Sequence, residues 1–397
     1  MNICIFFKKK KTCALVIMLI THPRIMMRRI PASFSARAVI CSIASLFPKV
    51  FCASLLTWSI YAHLFSTCSD LVLKKNHKIG GLVCGIIGFI LFFQCIFLYF
   101  RLIKVGPGSP LEFEELKIKD NVAAIGPRYK SSNPYSTNSS PSFDEDENSS
   151  YSVERPPHEL MSMHTLKDNG FSYRYCVKCN VWKPDRCHHC SVCEKCILRM
   201  DHHCPWFATC IGFHNQKFFI QFLFYVTVYS FFVFIMALTV LWTFFTDEEY
   251  SKEFLSLHLV FLTVLGFVIF LSVGVFSCFL IYLILVNKTT IEFQEKASNY
   301  RGLHFSLNNT SSSYNPPNIF DLGYVYNWTS VMGPNWITWL FPVSVTNRSI
   351  YSLSNNGINF DINRAAYEDW YSNAKLQYQL NRQFAAYSTR KLSTPRS

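Results

Sequence analysis

The stretch Phe218–Phe245, FFIQFLFYVTVYSFFVFIMALTVLWTFF, decides the fold class. It holds no Asp, Glu, Lys or Arg, and it exceeds the roughly 20 helical residues that cross a bilayer. Three more runs reach that length: about Phe47–Phe65, with Pro48 and Lys49 at its start, Ile79–Leu102, and Leu257–Val286. The competing reading of each run is a buried core helix. Composition argues against it. Half of the 397 residues are hydrophobic, 37 are Phe, and only 16% are charged, against an ordinary share of about 25%. That much apolar surface needs a very large core or a lipid bilayer. The net charge of +13 is spread along the chain, which fits an anionic leaflet better than nucleic acid.

Four spans put both termini on one side. The segment before Phe47 carries Lys8 to Lys11, Arg24, Arg28, Arg29 and Arg37 and no acid, while the loop after span three holds Asp247, Glu248, Glu249 and Glu253 against Lys252. By the positive-inside rule, the termini and the loop between spans two and three are cytosolic. The short loop after span one disagrees, with Lys74, Lys75 and Lys78 against Asp70. The N-terminal segment and the acidic loop are the larger imbalances and set the orientation. Cys13–Ile20 is too short to span. The basic, acid-free start also fits a transit peptide, against which stands the reading of an N-terminal extension outside the chemistry.

These spans divide the chain into a basic N-terminal segment (1–46), spans one and two (47–102), a linker (103–170), a cysteine-rich domain (171–217), spans three and four (218–286) and a C-terminal tail (287–397). Ser131–Ser150, rich in Ser, Asn and Pro with acids at Asp144–Glu147, reads as a disordered linker. In the tail, Arg364–Phe384 sets Ala366, Trp370, Leu376, Leu380 and Phe384 at roughly helical spacing among polar residues. That pattern fits equally a helix on the membrane surface and one packed on the protein.

Eight of the 16 cysteines fall in Cys176–Cys210, CVKCNVWKPDRCHHCSVCEKCILRMDHHCPWFATC. Interleaved histidines make this metal spacing and imply a reducing compartment. Cys176, Cys179, His189 and Cys196 recur fourteen residues later as Cys190, Cys193, His203 and Cys210. Each set offers three thiolates and one imidazole and opens with Cys-x-x-Cys, the ligand set of a tetrahedral structural zinc site. Two interleaved sites would staple a loop too poor in apolar residues to fold alone. Subtracting the ligands leaves Cys187 and Cys204. Cys204 continues the series begun by Cys176 and Cys190, but its partner position is Phe207. It follows Asp201 and His202, a set in which imidazole takes a thiol proton and carboxylate orients the imidazole. A neighbouring imidazolium also favours thiolate. Cys204 is thus a candidate nucleophile or a spare small residue, with Cys187, between Arg186 and His188, its rival. Filled Cys3His sites leave no open position for activated water, so covalent thiol chemistry at the membrane surface is favoured over metal-assisted hydrolysis.

At Asp201-His202-His203-Cys204, within this pattern and between spans two and three, the sequence resembles the DHHC family of protein S-acyltransferases. Lys183-Pro184-Asp185-Arg186 through Phe218-Phe219 fits it almost continuously. Gly106-Pro107-Gly108 stands where the family usually has Asp-Pro-Gly, Thr289-Thr290-Ile291-Glu292 matches its Thr-Thr-x-Glu motif, and Asn318–Gly333, with Asn327, looks like its aromatic-rich C-terminal motif. Trp206-Phe207-Ala208-Thr209-Cys210 looks most like the fungal vacuolar members, although many members have paired asparagines at Ala208 and Thr209. The resemblance implies an α-helical integral membrane protein, with four transmembrane helices and a cytosolic two-zinc cysteine-rich domain between helices 2 and 3. It implies transfer of a long acyl chain from palmitoyl-CoA to Cys204, then to cysteines of membrane-associated proteins, with His202 as general base held by Asp201. The eight zinc ligands are then structural, holding two zinc ions, and Thr289, Thr290 and Asn327 are structural contacts near the site. The Phe- and Leu-rich spans three and four become candidates to line the acyl cavity. The location implied is the vacuolar membrane, with Golgi and ER as alternatives. From charge alone, Lys183 and Arg186 are candidates for CoA phosphates; the competing reading is a solvated basic face.

Other classes fit less well. A membrane-anchored RING-type ubiquitin ligase needs longer ligand spacing and has no use for Cys204. A zinc-knuckle membrane scaffold without catalysis would be indifferent to that residue. Nucleic-acid recognition lacks a recognition helix with clustered Arg and Lys. Asn138, Asn148, Asn287, Asn308, Asn309, Asn327 and Asn347 each open an Asn-x-Ser/Thr triplet, all in segments read as cytosolic. Endoglycosidase treatment of chain expressed in a glycosylating host is therefore expected to leave its gel mobility unchanged. A shift traced to any of these asparagines would invert the topology.

Overall fold

The structure, a computed structural model, describes residues 36–69, 78–118, 157, 160, 161, 174–247, 255–294, 318–344, 355–369, 371, 372 and 383. Outside the described residues lie Lys8 to Lys11, Cys13–Ile20, Arg24, Arg28, Arg29, Asp70, Lys74, Lys75, Ser131–Ser150, Glu248, Glu249, Lys252 and Glu253. So do the triplets at Asn138, Asn148, Asn308, Asn309 and Asn347, and the tail positions Trp370, Leu376, Leu380 and Phe384.

Four long helices dominate: α1 (Ala36–Ala62), α2 (Lys78–Val105), α3 (Gln216–Thr246) and α4 (Leu257–Leu285). Among the described residues four segments are long and apolar enough to cross a membrane, Leu46–Cys68, which runs past the end of α1, Lys78–Val105, Gln216–Thr246 and Leu257–Leu285. The first span starts at Leu46, so Pro48 and Lys49 stand at its start as read from the sequence; the helix that carries it begins earlier, at Ala36, and Pro48 lies inside that helix. Spanning helices tolerate an interior proline because local adjustments satisfy the freed carbonyl.

By internal contacts the chain forms two compact units. One comprises the described parts of 1–96, 204–209 and 229–267; the other those of 97–203, 210–228 and 268–397. In the first, α1 continues into a π-helical stretch, His63–Cys68. His63 is fully buried there, 3.4 Å from the Cys84 carbonyl and 3.5 Å from the Cys68 thiol. A Cβ at Gly88 would come within 2.7 Å of its ring, so glycine makes room for the imidazole. Ser59 Oγ and Tyr229 Oη share a hydrogen bond of 2.9 Å. The turn Pro205–Phe207, directly after Cys204, packs on α1.

The second unit contains the cysteine-rich segment as three hairpins: β1 (Tyr175–Cys176) with β2 (Val181–Trp182), β3 (His188–Cys190) with β4 (Lys195–Ile197), and β5 (His202–Cys204) with β6 (Thr209–Ile211). The last hairpin's tip, Cys204–Thr209, falls in the first unit. The fourteen-residue repeat is visible in the backbone. The residue before the return strand is left-handed each time, Asn180 (φ 55°), Glu194 (φ 54°) and Ala208 (φ 45°). Each hairpin opens at Cys176, Cys190 or Cys204. Metal spacing is not the only support. Leu116, Ile118, Met161, Trp182, Leu198, Phe213, Ile319, Phe320, Ile358 and Phe360 form an apolar core, so parts of the linker and tail complete the cysteine-rich domain. Tyr367 also packs on this core and Ala366 is buried. The described part of the tail helix therefore rests on the protein.

Helix α2 ends in a loop at Gly106-Pro107-Gly108. Pro107 O accepts from His214 N at 3.1 Å and Gly108 O from Leu198 N at 3.2 Å. Ser109 Oγ donates to Cys196 O at 2.7 Å. Gly108 has φ 83°, and a Cβ there would lie 2.4 Å from the His214 ring; Gly106 has φ 68° but open space around it. Left-handed strain costs roughly 1–3 kcal/mol. Gly106→Ala should lower the thermal midpoint of detergent-solubilised protein by that strain alone. Gly108→Ala, which adds a clash, should lower it further. Equal shifts would mean the loop yields freely.

Candidate active site and metal clusters

The hairpin register builds the first cluster. Antiparallel pairing sets His189 opposite Cys196, and the β1–β2 turn brings Cys176 and Cys179. His189 Nδ1 lies 3.6, 3.2 and 3.9 Å from the sulfurs of Cys176, Cys179 and Cys196. In the second, His203 Nδ1 lies 3.7, 3.3 and 3.6 Å from those of Cys190, Cys193 and Cys210. Within each group all four ligand atoms are within 4.8 Å of one another. Tetrahedral zinc, with bonds of about 2.3 Å to sulfur and 2.0 Å to nitrogen, needs ligand atoms roughly 3.5–3.8 Å apart. Both sets fit a metal ion, and both histidines present Nδ1. All eight predicted ligands are brought together as paired from the sequence.

Between the second histidine ligand and the repeat that precedes it lies Asp201, which is 3% exposed. Its Oδ2 accepts from His202 Nδ1 at 2.7 Å. Its Oδ1 accepts from Thr290 N at 2.8 Å, and Thr290 Oγ1 donates to its carbonyl. Its own N–H donates to Ile211 O at 2.9 Å. A carboxylate on Nδ1 fixes the tautomer and directs Nε2 outward as the proton acceptor. The His202 ring stands edge-on to Phe219 and Phe276, at 5.4 and 6.5 Å. His202 and Cys204 are the first and last residues of β5.

Behind this lies a buried polar network the sequence did not disclose. Arg186 Nε and Nη2 donate to the two Glu292 carboxylate oxygens at 2.8 and 2.9 Å, a bidentate pair. Arg186 Nη1 and Arg199 Nη2 both donate to Asn287 Oδ1 at 2.9 Å. Asn287 Nδ2 in turn donates to Phe320 O at 2.6 Å. Arg186 also lies 4.7 Å over the Phe320 ring. The short helix α5 (Thr290–Gln294) starts in a reciprocal cap, Thr289 N to Glu292 Oε2 at 2.9 Å and Glu292 N to Thr289 Oγ1 at 3.2 Å. Asn327, on α6 (Tyr324–Met332), donates to Leu285 O and Asp321 Oδ1, each at 2.7 Å. Thr289, Thr290 and Asn327 thus hold the end of α4 and the Asp201 carboxylate in place.

The profile of the family described as DHHC palmitoyltransferase matches residues 170–297. Palmitoyltransferase PFA3 of Debaryomyces hansenii is 49% identical over 94% of this chain and 96% of its own length. The PFA3 proteins of Candida albicans and Saccharomyces cerevisiae are 46% and 36% identical over 88% and 86% of this chain, and 92% of each relative. The chain belongs to the DHHC palmitoyltransferase family. It is a multi-pass membrane enzyme, a protein S-palmitoyltransferase.

One expectation for this palmitoyltransferase needs correcting. Arg186 is 3% exposed and its guanidinium is engaged by Glu292 and Asn287, so it neither meets CoA phosphates nor lies on a solvated face. Lys183 is half-buried, and burial, followed by nearby Arg174, lowers its pKa. Asn287 and Asn327 are buried with their amides engaged, which disqualifies both as glycan acceptors. Arg199 was missed. Its signal was a charge between Leu198 and Met200 in an apolar run; burial, then Arg186, push its pKa down.

Burial works to raise the Glu292 carboxyl, but Arg186 beside it prevails and holds it below its ordinary value. The pair's stabilisation is therefore present at neutral pH and lost as pH falls below the ordinary glutamate value, about 4.3. Breaking one partner of a buried pair costs ~3–5 kcal/mol. Glu292→Gln should lower the unfolding midpoint at pH 7, and the gap to wild type should narrow under acid. A gap independent of pH would remove the ion pair from the account.

Proposed function

We propose that Cys204 is the acyl-carrying nucleophile, His202 its general base and Asp201 the residue that orients the base. The observation that carries this reading is the 2.7 Å Asp201–His202 bond on the strand that ends in Cys204. His202 Nε2 takes the Cys204 proton, and the thiolate attacks the acyl carbon of palmitoyl-CoA. The carbon–sulfur bond to CoA breaks, and CoA leaves as the thiol with the proton held by the imidazolium. A cysteine thiol of a membrane-associated protein then gives its proton to His202 and attacks the Cys204 thioester, which releases Cys204. Each step exchanges one thioester for another, so positioning and proton transfer supply the catalysis.

Two structural zinc ions suit the two clusters, where closed Cys3His sites contribute folding energy. Phe219 and Phe276, beside His202, belong to α3 and α4, the spans we assign to the acyl chain. Lys183 remains the candidate for CoA phosphate. The rival thiol Cys187 is buried among Cys176, Val181 and Cys196, inside the first cluster's apolar surround. The zinc domain and termini are assigned to the cytosol by the positive-inside rule, and the vacuolar membrane by resemblance to fungal vacuolar members.

Incubation of purified enzyme with a palmitoyl-CoA analogue should give hydroxylamine-sensitive label on wild type. Cys204→Ser should lose the label and keep about two zinc ions per chain, as the ligand sets require. Equal labelling of both proteins would move the nucleophile to another thiol. Loss of zinc in the variant would return Cys204 to the ligands.

A further inference from the structure

The first unit holds another group of metal-ligating side chains, set among three spanning helices and unused by the acyl transfer. Its centre is His63, which is 0% exposed. An ionisable side chain inside a bilayer is costly and needs a partner. Ordinary hydrogen bonding does not supply one. Nδ1 is buried with no hydrogen-bond partner. Nε2 has the Cys84 carbonyl at 3.4 Å and the Cys68 sulfur at 3.5 Å, the first beyond the roughly 2.7–3.2 Å of a good N–H···O bond. A buried imidazole this poorly satisfied calls for an explanation other than packing.

The backbone is arranged for the contact with Cys68. Residues five apart on an α-helix point about 140° away from each other. His63 and Cys68 instead open and close the π-helical stretch, and Ser69 N–H bonds to Leu64 O, five residues back. The wider turn brings imidazole and thiol onto one face, and π segments inside α-helices concentrate at functional sites. Both side chains lie against α2. A Cβ at Gly88 would stand 2.7 Å from the His63 ring, and one at Gly85 would stand 3.8 Å from the Cys68 sulfur. Cys84, next to Gly85, directs its thiol to the Met236 thioether of α3 at 4.0 Å. Two sulfurs bound to one metal at about 2.3 Å stand roughly 3.8–4.6 Å apart, from tetrahedral to linear geometry. By rise per residue, Cys84 lies about 9 Å from the start of α2 and Met236 about 15 Å from the end of α3, while Cys68 ends the first span. All four donors thus occupy the half of the bilayer in which spans one and two are joined.

His63, Cys68 and Cys84 do not make a third set as tight as the two zinc clusters, whose ligand atoms all lie within 4.8 Å of one another. That argues against closed tetrahedral zinc. Thiol with thioether is instead the donor chemistry that selects copper(I), and a methionine side chain adapts to irregular geometry. We infer that His63, Cys68, Cys84 and Met236 form a copper(I) site between the first three spans. Cys68 gives up its proton as the ion binds, and the other three donors stay neutral. One monovalent cation and one thiolate then leave no net charge in hydrocarbon, and no electron is transferred.

Full-length enzyme in detergent, kept reduced with ascorbate, would be titrated with copper(I) held by bathocuproine disulfonate, whose colour reports the copper it gives up. Copper and zinc would be counted after gel filtration. Wild type should take about one copper(I) per chain, as a single site of four donors requires, and keep its zinc. Copper-edge X-ray absorption should show nitrogen beside sulfur. Met236→Leu, a volume-conserving change, and Cys68→Ser should each lower copper affinity at least about tenfold, the smaller effect expected even of a residue behind a ligand. Cys278→Ser removes an exposed thiol of α4 and should bind copper as wild type does. Zinc content verifies the fold of each protein. No uptake by wild type, uptake matched by zinc release, or uptake unchanged in both Met236→Leu and Cys68→Ser would each overturn the site.

Discussion

Convergence of three sulfurs and one imidazole nitrogen, twice over, is the constraint on which the domain depends. Neither cluster is local to one hairpin. The first joins β1 and its turn to β3 and β4, and the second joins β3 and its turn to β5 and β6. Each hairpin is too short to persist alone, since two strands of two or three residues bury almost nothing. Metal affinity would therefore be folding energy here. Asp201 and His202 directly precede His203, a ligand of the second cluster, so the catalytic dyad we assign inherits its position from the metal site.

A second constraint is the desolvated charge behind the dyad. Arg186 and Arg199 sit together in the interior and share the Asn287 side-chain oxygen; Glu292 also accepts from Arg186, and Gln216 from Arg199. A buried ion pair of this kind adds little to stability compared with an apolar isostere, but it is costly to leave half-made. It thus penalises any arrangement in which the segment after α4 slips out of register with the cysteine-rich domain. The same segment, through Thr290, delivers two hydrogen bonds to Asp201.

Much of this was legible in the sequence because the signals were compositional or periodic. Bilayer spans are long and leave little choice, and a fourteen-residue recurrence of eight ligands leaves only one pairing. The Asp201–His202 pair was legible because the residues are adjacent. What escaped were interactions between distant residues with no periodicity, such as Arg186 with Glu292 and Asn287. A basic residue reads as exposed until its partner, more than a hundred positions away, is placed beside it. Residues 319, 320, 358 and 360 were equally silent; nothing local says that a tail phenylalanine completes a zinc-rich core.

The third hairpin keeps the backbone of a knuckle without its ligand set. Its left-handed residue, Ala208, stands where Asn180 and Glu194 stand, and Phe207 stands where Cys179 and Cys193 complete their chelates. Carried fourteen residues further, the ligand set reads Cys204, Phe207, Lys217 and Phe224, one ligand of four. A cysteine at 207 would supply only a second thiolate, and the sulfur we assign as nucleophile would still have no closed ligand set around it. The third hairpin therefore keeps the backbone of a knuckle while its one sulfur stays outside any closed ligand set.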